Sequence, residues 1–209
     1  MDLEAFVSLL RAVISPDPAL RKEAERQIKE GKEKQPAALV SLVLQTVQTH
    51  SDDEVRLQAA VLFRSFFRGV IDSEGHVWRQ LGDAERTQVK QILLHCLDTE
   101  KNKLVRNNIC DTISDLASDL IPVDQWNDLG QVLLAMIQSG VPVKQQTGLK
   151  ILSEIAPVLT EQLAAAAPLV CRIISACMAS GQDVNTRYTQ SVEAHAEERM
   201  STCICICVT

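Results

Sequence analysis

The segment from Asp52 to Phe67 constrains the fold most strongly, because its apolar residues recur at intervals of three and four. They are Val55, Ala59, Leu62, Phe63, Phe66 and Phe67. A stripe of this width predicts an amphipathic helix that packs against other helices. Arg56 lies inside the apolar arc, near the start of the helix. Since a buried, unpaired guanidinium is costly, we expect a neighbouring element to supply acceptors.

The composition favours an all-α protein. The chain is 46% hydrophobic but only 3% aromatic, and its 209 residues include 8 glycines and 7 prolines. Helices poor in aromatic residues pack closely in bundles or solenoids. The net charge of −6 argues against a general nucleic-acid binder and suits basic protein partners.

Apolar periodicity and capping residues predict a series of helices joined by short turns. The predicted ranges are 2–14, 18–34, 36–50, 52–67, 84–98, 101–120, 125–138, 143–156 and 160–179. Asp83 and Asp124 are expected to open two of these helices. A loop of about a dozen residues, containing Trp78, is expected before the fifth helix. The helices fall into pairs of about 35 to 50 residues, which is typical of a repeat architecture.

A basic residue recurs near the start of each second helix, directly or closely after an apolar one. These ladder residues are Arg21, Arg56, Arg106 and Lys144. We interpret them as structural, because an arginine in an apolar arc can hydrogen-bond the neighbouring repeat and set the stacking angle. Asp53 and Asp17 are candidate acceptors.

The polar faces of the second helices are the candidate partner-binding surface, since second helices line the concave side of such an array. The predicted residues on the first of these faces are Glu54, Leu57, Gln58, Val61, Arg64 and Arg68. On the next they are Asn107, Asn108, Asp111 and Asp115. Leu57 and Val61 are apolar at positions where solvent is expected, which indicates a partner.

The sequence contains no candidate residues for catalysis or for cofactor binding. The four histidines are scattered, without triad-like or metal-like spacing, and no glycine-rich phosphate loop occurs. The seven cysteines, an odd number, suggest a reducing compartment. We therefore expect no enzyme activity, no cofactor, no metal site, no direct nucleic-acid binding, no signal peptide and no membrane insertion.

Three segments carry a family resemblance: MDLEAFVSLLRAVISPDPALRKEAE, VRLQAAVLFRSFF and LVRNNICDTISDLASDLIPVDQW. They resemble the amino-terminal HEAT repeats of the importin-beta (karyopherin-beta) superfamily, most like its importin five (karyopherin beta three) branch. The resemblance implies a nuclear transport receptor that binds Ran in its GTP form and import cargo on its inner face. It also implies binding of Phe-Gly nucleoporins on the outer face.

The resemblance implies an α-solenoid, a superhelix of about four to five antiparallel helix pairs. We expect a HEAT-repeat array over residues 1–180 and a weakly structured or atypical tail over 181–209. The expected localisation is the cytoplasm and nucleus, including the nuclear pores. The alternative function is a HEAT-repeat scaffold, or a truncated fragment, that does not bind Ran.

Overall fold

The computed structural model describes residues 1–159 except 70, 72 and 74, and the regular structure in this part is entirely helical. Nine α-helices are described: α1 (Leu3–Val13), α2 (Pro18–Lys34), α3 (Pro36–Thr49), α4 (Asp53–Phe66), α5 (Val77–Gln80), α6 (Asp83–Thr99), α7 (Lys103–Leu120), α8 (Leu129–Gln138) and α9 (Pro142–Ile155). Two 3₁₀ turns, Ile121–Val123 and Ala156–Val158, follow α7 and α9. The all-α prediction is confirmed.

Local sequence signals account for most helix starts. Asp2, Asp17 and Asp52 each accept a hydrogen bond from a backbone N–H in the first turn, at 2.8, 2.8 and 2.9 Å. A cap of this kind stabilises a helix by about 1 kcal/mol. Proline is an early residue of α2, α3 and α9, where its missing N–H costs no helical hydrogen bond.

The chain divides into two compact units, Met1–Asp115 and Leu116–Thr209, so α7 begins in the first and ends in the second. In the first unit α1 packs against α2 and α3 against α4, while α3 also contacts α1 and α6. In the second unit α8 packs against α9. We refer to α1–α2, α3–α4, α6–α7 and α8–α9 as repeats 1 to 4.

The connection between α4 and α6 is more ordered than the sequence predicted. It contains the short helix α5, which carries the buried Trp78. The Trp78 ring lies 6.1 Å from the Phe67 ring, centroid to centroid, and Phe67 packs edge-on against Phe63 at 4.9 Å. Burial of the indole against this aromatic cluster stabilises the folded segment, and its turn-rich sequence does not indicate this contribution.

One predicted helix start is confirmed and one is wrong. Asp83 opens α6 as its first residue, although the N-cap is Gly82 and not Asp83. Asp124 does not open a helix, because it adopts a left-handed conformation with φ 59°. The N–H of the next residue, Gln125, bonds the carbonyl of Leu120 and closes α7. The following helix therefore begins only at Leu129.

Two large apolar side chains of repeat 1 are exposed. Ile14 and Leu20 are 45% and 55% accessible, because each lies beside the turn between α1 and α2. The predicted helix at 160–179 and the tail at 181–209 lie outside the described residues.

The core of the second unit depends on a close helix approach at Gly148. A Cβ built at this position would lie 2.9 Å from Cγ1 of Ile137 and 3.2 Å from the carbonyl oxygen of Leu133. Both neighbours are completely buried. Glycine therefore allows α9 to approach α8 more closely than any other residue would.

Candidate functional site

Arg56 is the centre of a polar network that connects two successive repeats. Its Nη1 donates to the carbonyl of His50 at 2.8 Å, and its Nε and Nη2 donate to the two carboxylate oxygens of Glu100, both at 3.1 Å. The side chains of Arg56 and Glu100 are only 14% and 7% exposed. The bond with Glu100 is the main cause that raises the pKa of Arg56 above its ordinary value.

Asp53 and Asn102 complete this group, which we call the Arg56 network: Asp53, Arg56, Glu100 and Asn102. Asp53 accepts from Nη2 of Arg56 at 2.5 Å and from Nδ2 of Asn102 at 2.8 Å. These hydrogen bonds, first that of Asn102 and then that of Arg56, hold the pKa of Asp53 below its usual value. The backbone N–H of Asn102 donates to Oε1 of Glu100 at 2.7 Å. The network therefore joins the turn of repeat 2 to the turn of repeat 3.

The ladder arginines share one contact. Nη1 of Arg21, Arg56 and Arg106 each donates to the carbonyl six residues earlier, at 3.1, 2.8 and 2.9 Å. Each arginine therefore satisfies a carbonyl of the turn between the first and second helix of its own repeat. Asp17, a predicted acceptor, instead caps α2.

The fourth ladder residue, Lys144, is half-buried at the start of α9. The neighbouring Gln145 donates from Nε2 to the carbonyl of Ile137 at 3.0 Å.

The structure brings three predicted partner-binding residues into contact with one another. Arg64 of α4 donates from Nη1 to Asp111 at 2.7 Å and from Nε to Asp115 at 2.9 Å, both on α7. Arg64 and Asp111 are each 26% exposed and Asp115 is 36% exposed. We call this group the Arg64 triad. Its members bind each other across two second helices, so much of their charge is already compensated.

The remaining predicted residues differ in exposure. Glu54, Arg68 and Val61 are exposed, whereas Leu57, Gln58, Asn107 and Asn108 are half-buried. Leu104 is 59% exposed and lies on the same face of α7 as Asn108 and Asp111. Sequence reasoning missed Leu104, although its signal was the one used for Val61, an apolar residue at a polar position.

Among the described residues, no group of three or more His, Cys, Asp or Glu side chains is arranged to hold a metal ion. Burial raises the pKa of the Cys96 thiol to about 11, so this buried cysteine is a poor nucleophile. Across residues 1–159, outside the three undescribed positions, no helix has the length and apolar character to span a bilayer.

Comparison with known proteins identifies relatives of this architecture. A family model described as "IPO5-like, TPR repeats" matches residues 101–198. Exportin-2 of Oreochromis niloticus is 25% identical over 144 residues, which cover 66% of this chain and 14% of the relative. A probable importin-5 homolog of Dictyostelium discoideum is 26% identical over 129 residues, which cover 62% of this chain and 12% of the relative. The chain thus spans about a seventh of the length of these proteins.

Solved structures share the fold over most of the chain. Yeast importin-beta (Kap95p) superposes with a TM-score of 0.77 at 17% identity, covering 94% of this chain and 24% of that one. A Kap95:Nup1 complex gives 0.67 at 17% identity, covering 83% and 21%. Kap121p bound to RanGTP gives 0.65 at 17% identity, covering 96% and 22%.

The paired helices and their structural matches define an all-α HEAT-repeat protein of the solenoid type. In sequence the chain is similar to importins and exportins: the IPO5-like family model matches slightly less than half of it, and the two relatives are 25% and 26% identical.

Proposed function

We propose that this chain is a segment of an importin-beta-type nuclear transport receptor that binds Ran-GTP and import cargo through a concave face. The face is formed by α4 and α7. Its support is the exposed, mixed polar and apolar surface of these second helices, together with a fold shared with a karyopherin that binds RanGTP.

The composition of this face is that of a protein-binding surface. Val61 and Leu104 are 47% and 59% exposed, and each has an amide side chain within one helical turn, Gln58 for Val61 and Asn108 for Leu104. Glu54 in the first turn of α4 and Arg68, two residues after its end, are exposed and keep their charges accessible. Apolar side chains inside a polar surround are typical of interfaces between proteins. Binding would come from dispersed contacts rather than from one pocket.

The charge of the chain supports basic cargo. A net charge of −6 steers basic ligands toward the protein and disfavours acidic ones. We further propose that Phe-Gly nucleoporins bind the side formed by the first helices, supported by the fold shared with a Kap95 that binds Nup1. The proposed localisation is accordingly the cytoplasm, the nucleus and the nuclear pores.

The internal pairing of the Arg64 triad supports a second candidate. Charges that are satisfied inside the chain need no partner, so the same geometry suits a HEAT scaffold that does not bind Ran. The two functions differ in whether the chain binds Ran, and in whether that binding depends on the nucleotide that Ran carries.

A pull-down of purified Ran by the immobilised chain separates these candidates. The transport function predicts capture of Ran loaded with a non-hydrolysable GTP analogue and much weaker capture of Ran-GDP. Capture that is equal in both states, or absent from both, would contradict the proposal and favour the scaffold. The variant Arg68→Glu should capture less Ran-GTP than the wild type, because Arg68 is exposed on the proposed face.

A further inference from the structure

The turns of repeats 2 and 3 are built alike, with His50 and Glu100 at corresponding positions. Each residue follows the last residue of its helix, with φ and ψ of −70° and 136° for His50 and −70° and 123° for Glu100. Each backbone N–H bonds the carbonyl four residues earlier. Each side chain accepts from the backbone N–H two residues later: Nδ1 of His50 from Asp52 at 3.1 Å, and Oε1 of Glu100 from Asn102 at 2.7 Å.

The two side chains differ in what they can offer to the preceding repeat. Glu100 has a second oxygen and a negative charge, and with them it binds Arg56. In His50 the Nδ1 atom already accepts a hydrogen bond, so a neutral ring carries its proton on Nε2 and has no acceptor left. Arg21, the ladder arginine of the preceding repeat, is exposed and bonds the carbonyl of Ser15 in its own turn.

The junction between repeats 2 and 3 therefore has polar connections along the length of α4. The Arg56 network lies at its start and the Arg64 triad in its second half. The two charge-assisted hydrogen bonds between Arg56 and Glu100 break together if the two repeats separate, and this opposes their separation.

The junction between repeats 1 and 2 has weaker polar connections. Within residues 1–115, apart from the undescribed positions, its one ion pair joins Arg11 to Asp52 at 3.9 Å, with side chains 61% and 46% exposed. Lys32 adds a cation–π contact, 5.7 Å from the centre of the Phe66 ring. Exposed ion pairs of this kind contribute little to stability.

We propose that His50 makes the junction between repeats 1 and 2 a hinge. Repeat 1 opens from repeat 2 by itself, whereas repeat 2 and the adjoining part of repeat 3, up to Asp115, move as one body. This inference depends on the contacts of the first unit and not on the proposed binding of Ran.

Hydrogen exchange measured by mass spectrometry on the intact chain tests the hinge. In the wild type, the amides of α1 and α2 are expected to exchange faster than those of α4 and α6, because repeat 1 opens separately. His50→Glu places a carboxylate at the position that Glu100 occupies in the next turn. It should slow exchange in α1 and α2 by roughly two- to five-fold, the range of an exposed or half-exposed ion pair, and leave α6 unchanged.

His50→Gln is the matched control, because glutamine has a similar size and no charge. It should leave exchange in α1 and α2 within about two-fold of the wild type. Glu100→Gln is the reverse change. It should speed exchange of α1 to α4 together, by about tenfold or more, since Arg56 loses its buried partner.

Two results would overturn the hinge. One is a wild-type pattern in which α1 and α2 exchange at the same rates as α3 and α4. The other is equal exchange in the glutamate and glutamine variants of His50. Since no partner protein is present in the measurement, neither result bears on the binding of Ran, which the pull-down tests separately.

Discussion

Arg56 in repeat 2 and Glu100 at the end of α6 form a two-pronged ion pair, with side chains 14% and 7% exposed. The residues are 44 positions apart in the chain, so the pair closes a long loop between two turns. Two parallel hydrogen bonds between a guanidinium and a carboxylate form a strong interaction and also fix the relative orientation of the two groups. The pair therefore fixes how one repeat stacks on the next.

Glu100→Ala is expected to destabilise the first unit by about 2 kcal/mol. This lies below the cost of breaking a fully buried pair, because Arg56 keeps Asp53 and a small contact with water. Urea unfolding followed by circular dichroism measures the change. The double variant Arg56→Met, Glu100→Met should recover at least half of the loss, since it leaves no charge unpaired. A double variant less stable than the single one would contradict this account.

Arg64→Ala and Arg68→Ala separate the Arg64 triad from the exposed surface. Arg64→Ala should lower the free energy of unfolding by about 1 kcal/mol, because it removes the guanidinium that binds both Asp111 and Asp115. Arg68→Ala should change it by less than about 0.5 kcal/mol, as expected for an exposed residue. Equal losses from both variants would show that the triad does not stabilise the stack.

Charge reversal at Arg68 tests the proposed binding face without disturbing the fold. Arg68→Glu is expected to weaken binding of Ran-GTP roughly five- to tenfold, as for a charge at the rim of an interface, with unchanged thermal stability. Reversal at Arg64, or at Asp111 with Asp115, should also weaken binding, but it disrupts the triad at the same time. Calorimetric affinities equal to wild type for the Arg68 variant would remove it from the interface.

Gly148→Ala should destabilise the second unit by about 1 to 3 kcal/mol, because the added Cβ meets Ile137 and the backbone of Leu133. The matched control is Gly31→Ala in α2. There the nearest atom is a Leu39 methyl at an ordinary 3.6 Å, so alanine should stabilise by about 0.5 to 1 kcal/mol. Melting temperatures from calorimetry compare the two. A stabilising effect at Gly148 would contradict the packing described.

The depressed pKa of Asp53 predicts a definite pH dependence. Because the folded chain holds this pKa below its usual value, the contribution of Asp53 to stability is present above the unfolded pKa, near 3.8. It is lost as the pH falls through the lower, folded pKa. Asn102→Ala removes the main cause and should shift the carboxyl titration of Asp53 toward higher pH, measured by NMR. If the titration does not shift, the hydrogen bond from Arg56 and not that from Asn102 is the main cause of the low pKa of Asp53.

The amino-acid sequence alone determined the helical class and most helix boundaries. α2 and α3 begin at Pro18 and Pro36, as expected, since proline and capping aspartates act within one turn of helix. The sequence also predicted that Arg56 has hydrogen-bond acceptors, because the local apolar pattern places its charge in a largely buried position. The identity of Glu100 as acceptor was not, since nothing local relates two residues so far apart.

Only the tertiary structure decided which predicted residues meet and which stay exposed. The sequence placed Arg64, Asp111 and Asp115 on solvent-facing arcs, yet α4 and α7 lie close enough for them to pair. Trp78 forms part of a helix because it is buried against Phe67, a contact that its neighbours in sequence do not encode. Periodicity and capping are local properties that a sequence displays directly, whereas cross-helix pairing depends on how the helices stack.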